Sequence, residues 1–152
     1  MSRIEDLGEH NQNLPDILAE YQQALDEAEE RIKLSDKRID MALAEQASWF
    51  AYYDERRVEL RTLDKWLEKE VNRVRGKLFR ALTENNARDL SDRAKEKYID
   101  TEPAYQNMYA IYLEVNEMYE QFIAVTEAFK ARGFALNNLA RLKVAQVEDA
   151  QI

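Results

Sequence analysis

Apolar side chains recur through the first half of the chain in steps of four and three: Leu14, Leu18, Tyr21, Leu25, Ala28, Ile32, Ser35, Ile39, Ala42, Gln46, Trp49 and Tyr53. That alternation is the heptad seam of an amphipathic helix. The register passes through Arg56 into Leu60, Leu63, Leu67, Val71, Val74 and Leu78. No Pro or Gly falls between residues 16 and 75. The pattern therefore allows one helix of roughly 70 residues, or two that part where the seam weakens, at polar Ser35 or charged Arg56. The start is marked by Pro15 in the first turn, with Asn13 or Leu14 in the cap position and Asp16 favouring the helix dipole. Residues 1–13, with Gly8 and the single His10, predict a loose arm, and 14–83 one long helical region.

Thr83-Glu84-Asn85-Asn86 ends that region on turn formers, and residues 84–100 predict a polar connector, its charged segment from Ala87 to Tyr98 helical at best in part. Thr101 as a cap and Pro103 in the first turn open an amphipathic helix over 101–132. One face of it carries Tyr105, Tyr109, Tyr112, Val115, Tyr119, Phe122, Val125 and Phe129. Gly133 predicts its end, with Arg132 complementing the last carbonyls and Phe134 closing a left-handed cap. A last helix and tail over 134–152 presents Leu139, Leu142 and Val147.

Composition sharpens the fold class. Three Gly and two Pro in 152 residues leave little turn material, so an all-α chain of long amphipathic, coiled-coil helices is expected. No cysteine is present, which excludes a disulfide framework and a thiolate metal site. No apolar run approaches the ~20 residues of a membrane span and no signal peptide is visible; a cytoplasmic protein with no membrane contact is the expectation. The glycines lie at 8, 76 and 133, far from any phosphate-loop spacing. One histidine builds no catalytic constellation. A non-enzyme without cofactor or metal is expected.

Charge is uneven. The net charge is -8, yet residues 56–80 hold nine Lys or Arg against four acids. The bland reading is a solvated coiled-coil face, but the bases outnumber their potential helical partners more than two to one. Asn72-Arg73-Val74-Arg75-Gly76-Lys77-Leu78-Phe79-Arg80 holds four bases without an acid, and Gly76, costly inside a helix, reads first as a tolerated defect or a gentle bend, with close approach of another group as the functional alternative. An anion-binding strip at Lys69, Arg73, Arg75, Lys77 and Arg80 is the candidate site. The tyrosine face of 105–129 and the cluster Trp49, Phe50, Tyr52, Tyr53 read first as core; stacking on unpaired bases is the functional alternative.

Phe129-Lys130-Ala131-Arg132-Gly133-Phe134-Ala135-Leu136 resembles the Lys-x-Arg-Gly-Phe-Ala-Ile segment of UvsY-type recombination mediators of T-even-like phages. Arg75-Gly76-Lys77-Leu78 is similar to a Lys-x-Arg-Leu segment of that family implicated in single-stranded DNA binding, with the bases in exchanged order, and Ile4-Glu5-Asp6-Leu7 to its N-terminus. The likeness covers roughly residues 50–145. It implies a non-enzymatic accessory protein of the infected bacterial cytoplasm that binds single-stranded DNA, contacts the single-strand-binding protein and helps load a RecA-like recombinase. It also implies a ring-like homo-oligomer formed largely through the C-terminal helix, here Phe129, Gly133, Phe134, Leu136, Leu139 and Leu142. The competing reading is a coiled-coil structural or chaperone-like adaptor of virion assembly that binds only proteins, its basic strip facing an acidic helix such as residues 16–30 of the same or a neighbouring chain.

Overall fold

The computed structural model describes residues 13–35, 37–85 and 89–149, with side chains to residue 146. The expected arm, His10, Ile4-Glu5-Asp6-Leu7 and the Val147 side chain lie outside that description. Four helices are present among the described residues, and no strand: α1 Leu14–Ile32, α2 Ile39–Asn85, α3 Asp92–Thr101 and α4 Pro103–Asp149. The chain is all-α. It divides into two compact units, residues 1–59 with 120–152 and residues 60–119. Both α2 and α4 contribute to each.

The long region is two helices, and they part at Ser35, where the seam has no apolar residue to bury. Lys33 leaves helical geometry at ψ 136° while its N–H still bonds the Glu29 carbonyl at 3.3 Å. The next helix is entered when Ala42 N–H bonds the Arg38 carbonyl at 3.0 Å. Arg38 also grips Asp40 through two bonds of 2.6 and 3.1 Å. At the other weak point the helix continues, because the Arg56 guanidinium folds over the Tyr52 ring, 3.4 Å from its centroid, and donates to the Tyr52 carbonyl.

The first unit packs α1 and the end of α4 against the beginning of α2. Tyr53 and Phe129 stack at 4.9 Å and 22°, and Phe122 meets both Tyr53 and Tyr21; all four rings are buried. Each such side chain removes 150–250 Å² of surface from water, so this cluster holds the unit together. Along α1 the buried residue is Ala24, with Leu25 only half-buried. A small side chain there lets the Tyr53 hydroxyl reach the Ala24 carbonyl at 2.7 Å. In the second unit Leu60, Leu63, Leu67 and Val71 of α2 are buried together with Ile99 of α3 and Val115 and Met118 of α4. Asn116 ties α4 to α2 by donating to Asp64 at 2.9 Å.

Three expectations are corrected. The connector contains α3, capped by Ser91, whose hydroxyl accepts from Ala94 N–H at 3.3 Å. Thr101 caps nothing: it is the last residue of α3, and its hydroxyl donates back to the Tyr98 carbonyl; Glu102 accepts the first bond of α4, from Gln106. Gly133 ends no helix, since α4 runs unbroken from Pro103 to Asp149. The glycine provides room for Gln46, which would lie 3.0 Å from an added Cβ and which donates to the Phe129 carbonyl at 2.6 Å. Arg132 is likewise buried mid-helix, bonding the Ala42 carbonyl and the Gln46 amide oxygen.

Candidate nucleic-acid interface

The outer face of α2 in the second unit carries Arg61, Lys65, Lys69, Arg73, Lys77 and Arg80, in steps of 4, 4, 4, 4 and 3. All six are exposed. Residues four apart lie one above the other on a helix, about 6 Å apart along its axis. The core residues Leu60, Leu63, Leu67 and Val71 hold the other side of the helix inward, which is why the bases stay outside as a continuous stripe. Among the described residues, only Arg73 of the six makes an ion pair, to Glu70 at 2.7 Å; that exposed contact is weak and leaves the stripe strongly positive.

Arg75 stands apart from the other predicted bases. Its guanidinium pairs with Glu96 and, at 3.4 Å, with Asp100. It also donates to the Tyr105 hydroxyl at 3.1 Å and lies 5.3 Å from that ring's centroid. The Glu96 hydrogen bond raises the Arg75 pKa further, so the guanidinium stays charged. Arg75 is thus an internal clamp between α2, α3 and α4, while Lys69, Arg73, Lys77 and Arg80 face outward. Within the chain, the acids that meet Arg75 belong to α3. Gly76 is exposed with nothing within 4 Å of an added Cβ, so no close approach among the described residues explains it.

Two bases of the stripe, Arg61 and Lys65, were absent from the sequence-predicted site. The four-residue spacing that joins them to Lys69 is visible in the sequence, but both lie outside the acid-free run 72–80. Tyr105, Tyr109 and Tyr112 form a ladder on the flank of α4, with successive centroids 5.7 and 6.1 Å apart. The sequence grouped them with Val115, Phe122 and Phe129, which are wholly buried, whereas Tyr109 keeps 40% of its surface in water. Of the Trp49 cluster, Tyr53 is core, and Trp49 and Tyr52 are half-buried, with Arg31 lying 4.1 Å from the Trp49 centroid.

The residues offered for self-association also separate. Phe129 and Leu136 are buried in the chain's own core, and Gly133 packs on Gln46. Phe134, Leu139 and Leu142 are exposed, by 71%, 41% and 61%, together with Val144. Among the described residues no group of three His, Cys, Asp or Glu is placed to hold a metal ion, and no helix is long and apolar enough to cross a membrane. Compared with protein-family models, with curated proteins and with solved structures, the chain matches none.

Proposed function

We propose that the protein is a non-enzymatic single-stranded DNA-binding accessory protein whose phosphate contacts are Arg61, Lys65, Lys69, Arg73, Lys77 and Arg80. The observation that carries this reading is the stripe: six exposed bases at helical spacing in a chain of net charge -8. A row of cations on one rigid helix suits a strand's regularly spaced phosphates, and each contact releases condensed counterions. The further role, assisting a RecA-like recombinase on DNA coated by a single-strand-binding protein, rests on the UvsY-type resemblance of residues 129–136 and 75–78. Homo-oligomerisation belongs to the same reading. It would use exposed Phe134, Leu139 and Leu142, and would multiply individually weak stripes into one multivalent surface.

Fluorescence anisotropy of a labelled oligo-dT titrated with the protein at several salt concentrations tests the site. Log affinity is expected to fall linearly with log salt, by about 0.7 per phosphate contact. Lys77→Ala/Arg80→Ala should lower both affinity and slope, whereas Arg75→Ala, removed from the stripe, should alter neither much. Affinity unchanged in Lys77→Ala/Arg80→Ala would dismiss the stripe as the DNA site. One observation favours the protein-only adaptor instead: Arg75 is already neutralised by Glu96 and Asp100, so part of the basic segment serves the fold. Absence of DNA binding near 50 mM salt, a concentration at which phosphate contacts are strong, would favour that reading.

A further inference from the structure

The tyrosine ladder lies in surroundings of the opposite sign from the stripe. On α2, Asp64 and Glu68 occupy successive turns on the side that meets α4. Asp64 is fixed by Asn116, one turn beyond Tyr112. The Tyr112 hydroxyl is held in its neutral form first by partial burial and then by those two carboxylates. Acids beside the rings repel phosphates, so the ladder is a poor platform for DNA bases. The negative faces of aromatic rings and carboxylates together attract cations, and planar guanidinium best of all.

The molecule already shows how this chemistry is completed. Arg75 covers Tyr105 and is paired with carboxylates; in the other unit Arg31 lies over Trp49 and Arg56 over Tyr52. Among the described residues no cation lies over Tyr109 or Tyr112, although Tyr109 is the most exposed ring of the ladder. The ladder therefore has its first rung filled by the chain's own arginine and the next two open.

We propose that Tyr109 and Tyr112, with Asp64 and Glu68, form a docking surface for an arginine-bearing segment of a partner protein, whose guanidinium continues the series begun by Arg75 on Tyr105. The occupant follows from charge and shape: a cation is required by the carboxylates, and a flat one by the stacked rings. Nothing in this inference depends on DNA binding by the stripe.

The test uses the full chain and a short fluorescein-labelled peptide alternating serine and arginine, followed by anisotropy at low salt. Tyr109→Leu/Tyr112→Leu should weaken binding about tenfold, from two cation–π contacts of modest strength, while Tyr109→Phe/Tyr112→Phe, which keeps the rings, should bind as the parent does. Glu68→Gln should weaken binding, and Glu114→Gln, which removes an equal charge from α4 off the tyrosine stripe, should not. Failure of the parent to bind the peptide would overturn the proposal. So would parent-like affinity in the leucine variant, or equal losses in Glu68→Gln and Glu114→Gln; the glutamine pair decides the matter if the leucine variant unfolds.

Discussion

The Tyr53 hydroxyl donates to the Ala24 carbonyl at 2.7 Å and accepts from Arg31 at 3.1 Å, inside a ring cluster wholly removed from water. Tyr53→Phe keeps the ring and loses the two bonds; a cost of about 1–2 kcal/mol is expected in urea unfolding. Phe122→Ala empties the space between Tyr21 and Tyr53 and should cost about 3–5 kcal/mol. Arg132 is a different kind of residue. It is 3% exposed, its Nε and Nη2 have no hydrogen-bond partner, and desolvation lowers its pKa. A buried donor without a partner costs on the order of 1–3 kcal/mol, and long apolar replacements of buried charges are often stabilising. Arg132→Met should raise the thermal midpoint by a few degrees; a fall would mean that its bonds to Ala42 and Gln46 outweigh the orphaned groups. The sequence placed this arginine at a helix end because Gly133 follows it. Only the packing of Gln46 against that glycine explains why the helix continues.

At the scale of elements, the two helical glycines make opposite predictions from the same propensity. Both occupy helix interiors, where Ala is favoured by about 0.5–1 kcal/mol. Around Gly76 there is open space, so Gly76→Ala should deliver that gain in full. At Gly133 the new methyl meets the Gln46 amide nitrogen at 3.0 Å, and the shift it forces on that amide stretches the bonds to Phe129 and Arg132. Gly133→Ala should therefore gain nothing or lose stability; thermal unfolding of the two variants side by side reads the difference. The end of α1 also belongs here. A chain without Pro or Gly from 16 to 75 still breaks at Lys33–Arg38, because seam continuity and not breaker residues sustains a long helix against solvent. Ser35 was legible as a weak point. That Arg56 was not a second one depended on the Tyr52 ring, which the heptad pattern does not place. α3 was legible only as a partly helical segment because ten residues rich in charge show one buried apolar position, Ile99; the Ser91-Asp92 start marks where it begins.

At the scale of the whole molecule, two units share two helices, and that sharing has a thermodynamic consequence. Each unit contains one of the two tryptophans, Trp49 in the first and Trp66 in the second. Since α2 and α4 pass uninterrupted from one unit to the other, melting either helix removes packing from both. Urea transitions followed by fluorescence in Trp49→Phe and in Trp66→Phe should have slopes and midpoints that agree once the stability cost of each substitution is measured by circular dichroism. Distinct fluorescence and circular dichroism midpoints within one variant would show that the units unfold separately.

By itself the sequence determined the helical class, much of the buried face of α1, the core run Leu60, Leu63, Leu67 and Val71 of α2, and the concentration of positive charge at 56–80. These follow from periodicity and local composition, which act between neighbours on one helix. Tertiary structure decided which bases remain available, because Arg75 finds its acids on α3 and the stripe from Arg61 to Arg80 finds few. It also decided that α4 continues past Gly133 and which of its aromatic residues are core. Phe122 and Phe129 meet partners on α2, while Tyr109 keeps 40% of its surface in water. Burial and ion pairing depend on residues 20 to 90 positions away, and no spacing within a helix encodes which of them arrive.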